Sequence, residues 1–159
     1  MHWFSYYKKW IPQENYYYAF KNTGFKPNPL GRSAGTYTKY TSLDDMMDDF
    51  NFFCMYIKYG IGRATFDAAQ EIRRGDITRE EGAALVKKYD GEFPYRFQNK
   101  IFDYLSINQI PNYGDNWSKK FNNPGMDMNS FNMLCDRFRS PHLWEKDSNN
   151  KWKLKYEFD

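Results

Sequence analysis

The stretch that decides the fold runs from Tyr56 to Pro94 and reads YIKYGIGRATFDAAQEIRRGDITREEGAALVKKYDGEFP. Its start and stop signals predict one helix over 66–74, ended by Gly75, and a second over 79–89, with Gly91 beyond its end. The capping residues are Thr65 for the first helix and the capping box of Thr78 and Glu81 for the second. Because these local signals agree with one another, the sequence predicts a helical hairpin.

A cationic glycine turn, Lys58–Arg63, precedes the hairpin. Its two glycines would let a ligand approach the backbone closely, and the amides of the next helix, with Lys58 and Arg63 beside them, would suit a phosphate, pyrophosphate or carboxylate. The competing interpretation is a helix-breaking turn with two surface cations, and the pattern alone favours it. Asp67, in the first turn of the next helix, could cap amides, pair with Arg63 or position a substrate group.

Upstream of the turn, the sequence predicts a helix over 12–22, a loop over 25–41 and a longer helix from Ser42 to Gly60. Ser42 and Asp45 resemble a capping box for the longer helix. Its predicted packing face consists of Leu43, Met46, Met47, Phe50, Phe53, Cys54 and Ile57.

Two groups of residues in this upstream region are considered as sites, one for a ligand and one for a metal ion. Loops hold binding residues disproportionately, so Lys39 and Tyr37, with Tyr40 beside them, are candidate ligand contacts. The competing interpretation of Lys39 is an ordinary solvated lysine. Four acidic residues near the start of the longer helix could suggest a metal site, but a solvated helix start stabilised by the helix dipole is the favoured interpretation. They are Asp44, Asp45, Asp48 and Asp49.

Downstream of the hairpin, the sequence predicts a helix from Pro94, an irregular segment over 108–125, a last helix that stops before Pro141, and a small β-hairpin around the DSNN turn in the tail LWEKDSNNKWKLKYEF. The inward-facing residues of the first helix are predicted to be Phe97, Ile101, Tyr104 and Leu105, and the last helix carries Phe131, Leu134, Cys135 and Phe138. The fold class is therefore mainly α: a single helical domain over 1–159 with long irregular loops and a possible C-terminal β-hairpin.

Composition narrows the function classes. The net charge of +3 is too weak, and its lysines and arginines too dispersed, to imply nucleic acid. Two distant cysteines favour free thiols in a reducing cytoplasm, and with only two histidines a protein-built metal site is not expected. No segment is apolar over the length of a membrane span, and neither a phosphate loop nor a catalytic triad can be assembled. Aromatic residues make up 21% of the chain. They favour a core built from rings over a sugar-stacking or partner-binding face.

Long segments of the chain resemble the N-acetyl sugar amidotransferases of bacterial surface-polysaccharide synthesis. The segments are YYKKWIPQENYYYAFKNTGF (6–25), GTYTKYTSLDD (35–45), the 56–94 stretch and FRSPHLWEKDSNNKWKLK (138–155). Lys58 and Arg63 match the K-x-G-x-G-R-A-T turn of that family, and Lys39 matches its Y-x-K-Y loop.

The resemblance implies a reaction in which ATP activates the N-acetyl carbonyl of a nucleotide-linked sugar, and ammonia then replaces the oxygen to give an acetamidino group for lipopolysaccharide or related glycans. It also implies Mg²⁺ for the complete enzyme, and glutaminase and ammonia-channel subunits as partners. The family carries an SGGxDS-type ATP-pyrophosphatase loop in an N-terminal half, which this chain lacks. We therefore expect the C-terminal half only, as a truncated frame, split subunit or excised domain, with no cofactor and no activity of its own.

Three functional hypotheses follow. In the first, the chain is the C-terminal portion of such an amidotransferase; Lys58 and Arg63 bind pyrophosphate or sugar-nucleotide phosphates, and Lys39 assists. In the second, it is a non-catalytic protein-interaction module with an aromatic docking surface and a purely structural glycine turn. Nucleic-acid binding is a distant third. The catalytic residues are not identified.

Overall fold

The computed structural model describes residues 1–105 and 128–156. Within these ranges the chain forms seven α-helices, one 3-10 turn and one two-stranded antiparallel sheet. In chain order the elements are α1 (Phe4–Tyr7), α2 (Pro12–Asn22), α3 (Asp48–Tyr59), α4 (Arg63–Arg74), α5 (Arg79–Tyr89), the 3-10 turn (Tyr95–Phe97), α6 (Gln98–Tyr104), α7 (Met128–Phe138), β1 (Trp144–Lys146) and β2 (Trp152–Leu154). The predicted mainly helical fold and C-terminal hairpin are confirmed. The irregular segment predicted over 108–125 lies largely outside the described residues.

Helices α4 and α5 form the predicted hairpin. Small side chains let them approach closely: Ala64 and Ala68 are completely buried, and a Cβ on Gly82 would lie 2.6 Å from Cδ1 of Ile72. The capping box at the start of α5 is confirmed, since the Thr78 hydroxyl accepts a hydrogen bond from the next turn's amide and its own amide donates to a glutamate carboxylate. Local capping and tertiary packing therefore agree here.

The start of α4 differs from the prediction. The helix begins at Arg63 after Gly62, so Thr65 lies inside the first turn and does not cap it. Its hydroxyl instead donates to the carboxylate of Asp90, at the end of α5. The capping anion comes from a residue distant in sequence, and local pattern could not reveal it.

The start of α3 also differs. Ser42 has a φ of 55°, which a right-handed helix excludes, and its carbonyl accepts a hydrogen bond from the Ser33 hydroxyl in the preceding loop. Asp45 accepts from the Met47 amide as a local turn, and the helix begins only at Asp48. The predicted capping box at Ser42 and Asp45 is therefore wrong.

The later start changes which side chains of this region are buried. Leu43 and Met46, predicted to pack inward, are exposed. Asp49, predicted to be solvated, is only 2% exposed and accepts a hydrogen bond of 3.2 Å from the Ala34 amide. That carboxylate ties the long loop to α3.

The main core is a cluster of rings and one isoleucine at the junction of α3, α6 and α7. Its buried members are Phe50, Ile101, Phe102 and Phe131, and partly buried residues around them include Cys54 and Cys135. Both thiols are free, as the sequence predicted. The aromatic share of the chain is therefore partly explained by its core.

Two residues predicted to face inward at the end of α6 are exposed instead. Pro94 precedes a 3-10 turn, and the α-helix begins at Gln98. Tyr104 is 71% exposed and Leu105 is 39% exposed, while Phe102 is among the most buried side chains. The 3-10 turn shifts the helical register relative to an α-helix that starts at the proline.

The C-terminal hairpin closes as predicted around its DSNN turn. Asp147 accepts hydrogen bonds from the amides of Asn149 and Lys151. Across the strands, Glu145 pairs with Lys153 in register, and their side chains form an ion pair of 3.0 Å. In the part of the chain that is described, no helix is long and apolar enough to cross a membrane.

Candidate functional site

The glycine turn carries an anion supplied by the chain itself. One oxygen of the Asp90 carboxylate accepts from the Gly62 amide and the other from the Ala64 amide, both at 2.9 Å. A Cβ on Gly62 would lie 2.7 Å from Asp90 Cγ. These amides, predicted to suit a bound phosphate, hold a carboxylate in this structure, and the glycine is required because the carboxylate lies against it.

Lys58 lies apart from the other candidate residues. Its ammonium is 5.9 Å from the centre of the Phe138 ring in α7, and its backbone carbonyl accepts a hydrogen bond from Ser140. The nearby Gly60 has a φ of 70° and ends α3. The Lys58 end of the turn therefore joins α3 to the C-terminal region.

The other four candidates line two neighbouring cavities between α4, the tyrosine-containing loop and the start of α2. The first, of about 360 Å³, contains Arg63 and Asp67. The second, of about 330 Å³, contains Tyr37 and Lys39. We call the two together the polar cleft. Its linings share Thr38, Tyr40 and Glu71, and its further members are Trp10, Pro12, Gln13, Tyr16, Thr41, Ser42, Gln70 and Arg74.

Helix α4 supplies the charged wall of the polar cleft. Arg63, Asp67 and Glu71 follow one another at helical spacing of four residues, beside the side that buries Ala68 in the hairpin. The Arg63 guanidinium donates to both oxygens of Asp67, at 3.0 and 3.1 Å. Arg74 ends the helix and adds a second guanidinium to the wall. The wall therefore offers cations and carboxylates within one helix length.

The loop on the opposite wall is held in place by contacts to helices. The Tyr40 ring stacks on Tyr16 of α2 at 4.7 Å between centroids, and its hydroxyl donates to Gln13 at 2.9 Å. At the base of the loop, Glu92 accepts from the Gly35 amide at 2.9 Å and pairs with a neighbouring guanidinium. These anchors give the tyrosines defined positions, as a binding site requires.

Burial shifts the titration of four groups in the polar cleft. Desolvation raises the pKa of Asp67, against the opposing effect of the Arg63 guanidinium. Desolvation likewise raises the pKa of Glu71 and of Tyr40, and it raises the pKa of Tyr37 well above its usual range, with the charge of Glu71 as the next cause. Groups with perturbed pKa values that gather in a cleft are typical of functional sites.

The Tyr37 hydroxyl adds a further sign of polar function. Its oxygen is buried and is at most weakly paired with the Glu71 carboxylate, which also raises the pKa of Tyr37. A buried hydroxyl that is incompletely paired has lost water without full compensation. The polar cleft thus combines guanidinium groups suited to phosphates, carboxylates and amides suited to hydroxyl groups, and aromatic rings suited to a sugar face.

The sequence interpretation missed several residues of this site. It proposes neither Arg74 nor Glu71 as a site residue, although the four-residue spacing of Glu71 from Asp67 is a usable signal. Trp10 and Gln13 could not be found, because they belong to a different part of the chain. Within 1–105 and 128–156 there is no group of three or more histidine, cysteine, aspartate or glutamate residues that could hold a metal ion.

Comparison with known proteins gives one finding that bears on identity. No curated protein matches the chain. A family model described as "LPS biosynthesis protein WbpG-like, C-terminal domain" matches residues 34–157. The match includes the candidate residues on the loop and on α4, whereas the resemblance over 6–25 lies outside it and stays a prediction. The chain therefore belongs to the WbpG-like C-terminal domain family of lipopolysaccharide biosynthesis proteins.

Proposed function

We propose that this domain is the substrate-holding C-terminal portion of an ATP-dependent amidotransferase that converts an N-acetyl group of a nucleotide sugar to an acetamidino group. The observation that carries the proposal is the polar cleft, where two guanidinium groups, two desolvated carboxylates and several aromatic rings surround one space. A nucleotide sugar presents the matching groups: a diphosphate, hydroxyls and an apolar sugar face.

Each wall of the polar cleft has a role in this proposal. Arg63 and Arg74 bind the diphosphate, because a guanidinium can donate two parallel hydrogen bonds to phosphate oxygens. Glu71 accepts hydrogen bonds from the sugar hydroxyls, the Gln70 amide can donate to them or accept from them, and Tyr40 lies beside the ring. Because these groups are fixed by the helix and by the anchored loop, they can orient the N-acetyl carbonyl toward a partner.

The chemistry of activation belongs to the ATP-binding half that the resemblance implies. An amide oxygen is a poor leaving group, so ATP would supply the activation that lets ammonia replace it. This chain orients the nucleotide sugar through the fixed side chains of the polar cleft. We expect no ATP–pyrophosphate exchange by the purified chain alone; exchange at a measurable rate would contradict this division of labour.

A second candidate function is a non-catalytic interaction module. The observation that favours it is the structural role of the glycine turn, whose amides bind the Asp90 carboxylate. In that case the polar cleft would be a solvated surface, and a nucleotide sugar would not bind there.

Calorimetric titration with UDP-N-acetylglucosamine separates the two functions. We expect binding that weakens at least about tenfold in Arg63→Gln and in Arg74→Gln, because each removes a charge-assisted hydrogen-bonding group. Arg73→Gln and Lys58→Gln are the matched controls, since they remove cations that do not line the polar cleft. Absence of binding by the unmodified chain, or an equal loss in the controls, would refute the proposed function.

A further inference from the structure

The N-terminal segment, residues 1–26, displays its aromatic side chains to solvent. Trp3 is 74% exposed and Tyr6 is 85% exposed. Neither α1 nor α2, both fully described, buries any residue. Further exposed rings in this segment are Phe4, Tyr7, Trp10, Tyr17, Tyr18, Phe20 and Phe25. So many large apolar groups in one short segment mark an interaction surface.

The net positive charge of the chain arises from the same segment. Residues 1–26 contain four lysines and one glutamate, so they carry +3, which equals the net charge of the whole chain. The remaining residues, 27–159, are therefore neutral in sum. Lys8 and Lys9 lie directly beside the exposed rings, and both are exposed themselves.

The combination of ring type and charge identifies the partner. Trp and Tyr are the side chains that prefer the boundary between lipid headgroups and hydrocarbon, because one end of the ring is apolar and the other is polar. Lysines near such rings are attracted to anionic headgroups. A second copy of this chain is a poorer match, since outside the segment it offers no net negative charge.

We propose that residues 1–26 dock this protein on an anionic lipid surface, with Trp3 and Tyr6 inserted at the headgroup level and Lys8 and Lys9 paired with headgroups. The contact is peripheral, since insertion of side chains needs no spanning helix. Trp10 and Pro12 also line the polar cleft, so docking places the cleft close to the lipid surface. The proposal does not depend on the reaction that the cleft supports.

Vesicle flotation tests the docking. The unmodified chain is mixed with vesicles of phosphatidylcholine, with or without about one-third phosphatidylglycerol. We expect flotation with the anionic vesicles only, and its loss near 1 M salt, where the Debye length falls to about 3 Å. Lys8→Gln with Lys9→Gln should weaken the affinity about fivefold per lysine, and Trp3→Ser with Tyr6→Ser should abolish flotation.

Matched controls exist on exposed parts of the chain outside the segment. Lys100→Gln with Lys151→Gln removes two exposed lysines, and Tyr95→Ser removes a ring that is 76% exposed. These variants should float like the unmodified chain. Because residues 1–10 are all exposed, their variants should melt at the unchanged temperature.

Four outcomes would overturn the proposal: no flotation, equal flotation with neutral vesicles, equal losses in the control variants, or self-association through the segment in sedimentation without vesicle binding. The calorimetric titration with UDP-N-acetylglucosamine is carried out without lipid. Failure of the docking is therefore distinguishable from failure of the proposed function.

Discussion

Asp90 can be tested as the anion that fixes the start of α4. Its carboxylate accepts from the amides of Gly62 and Ala64 and from the Thr65 hydroxyl. Asp90→Ala leaves these donors without their acceptor. Loss of a helix cap costs about 1 kcal/mol, and hydrogen bonds to a charged group are worth about 1.5–3 kcal/mol each, reduced here by partial exposure. We expect a loss of about 2–3 kcal/mol, equivalent to about 5–10 °C in melting temperature.

A double-mutant cycle makes the test specific. Gly62 has a φ of −119°, so Gly62→Ala introduces no backbone strain, and its cost comes from the clash with the carboxylate. We expect about 1–3 kcal/mol for this substitution alone, as for overpacking. In the Asp90→Ala background the clash is absent, and the same substitution should cost less than about 0.5 kcal/mol. The coupling energy should therefore exceed about 0.5 kcal/mol, the upper end of the error of additivity.

Urea and thermal unfolding monitored by circular dichroism measure all four chains of the cycle. Asp76→Ala is the control, because it removes a carboxylate that pairs with Arg74 at 2.7 Å near the surface, and such pairs contribute less than about 1 kcal/mol. If Asp90→Ala costs no more than Asp76→Ala, or if Gly62→Ala costs the same in both backgrounds, the capping argument is wrong.

Gly91→Ala should destabilise the folded chain strongly, since a Cβ there would lie 2.5 Å from the Tyr56 ring. Gly75 has a similar positive φ but nothing within 4 Å of such a Cβ, so Gly75→Ala should cost only about 1 kcal/mol. Urea unfolding of both variants separates the effect of crowding from that of backbone strain. Burial raises the pKa of Glu71, so its stabilising contribution is present below its unfolded pKa of about 4.3 and is lost as pH rises through its higher folded pKa. Glu71→Gln should therefore raise the melting temperature at pH 8 and not at pH 4, and an equal shift at both would contradict this. Burial raises the pKa of the Cys54 thiol to about 11, so a thiol reagent at pH 7 should label it slowly until urea unfolds the chain. Peptide mass analysis distinguishes it from the second free thiol, Cys135, and rapid labelling at Cys54 in the folded chain would contradict this.

The elements that were predicted correctly depend on neighbours in sequence. The capping box of Thr78 and Glu81 involves residues three apart, and Gly60 and Gly75 end helices because a left-handed residue is needed directly after the last turn. Helix α2 was also placed correctly, because its start signal, Pro12 at the first helical position, lies within the segment itself. The start of α3 was wrong because Ser42 bonds to Ser33 in the folded loop, a contact that competes with the local helix signal.

The candidate site, like the helices, was predictable only where its residues lie close together in sequence. Spacing on one helix brought Arg63 and Asp67 together, and the breaker-rich sequence identified the loop that carries Tyr37 and Lys39. Their union in one cleft was not derivable. It depends on the stacking of Tyr40 on α2, which lies outside the range matched by the family model.

The sequence by itself determined the helical hairpin, most helix ends and the family to which the chain belongs, because each depends on short-range order along the chain. Only the tertiary structure decided the role of the glycine turn. The sequence predicted that the amides of this turn could bind an anion. In the folded chain they donate hydrogen bonds to the carboxylate of Asp90, more than 25 residues away. A helix start can accept one carboxylate or one phosphate in that position, and which of them arrives is a property of the packed chain.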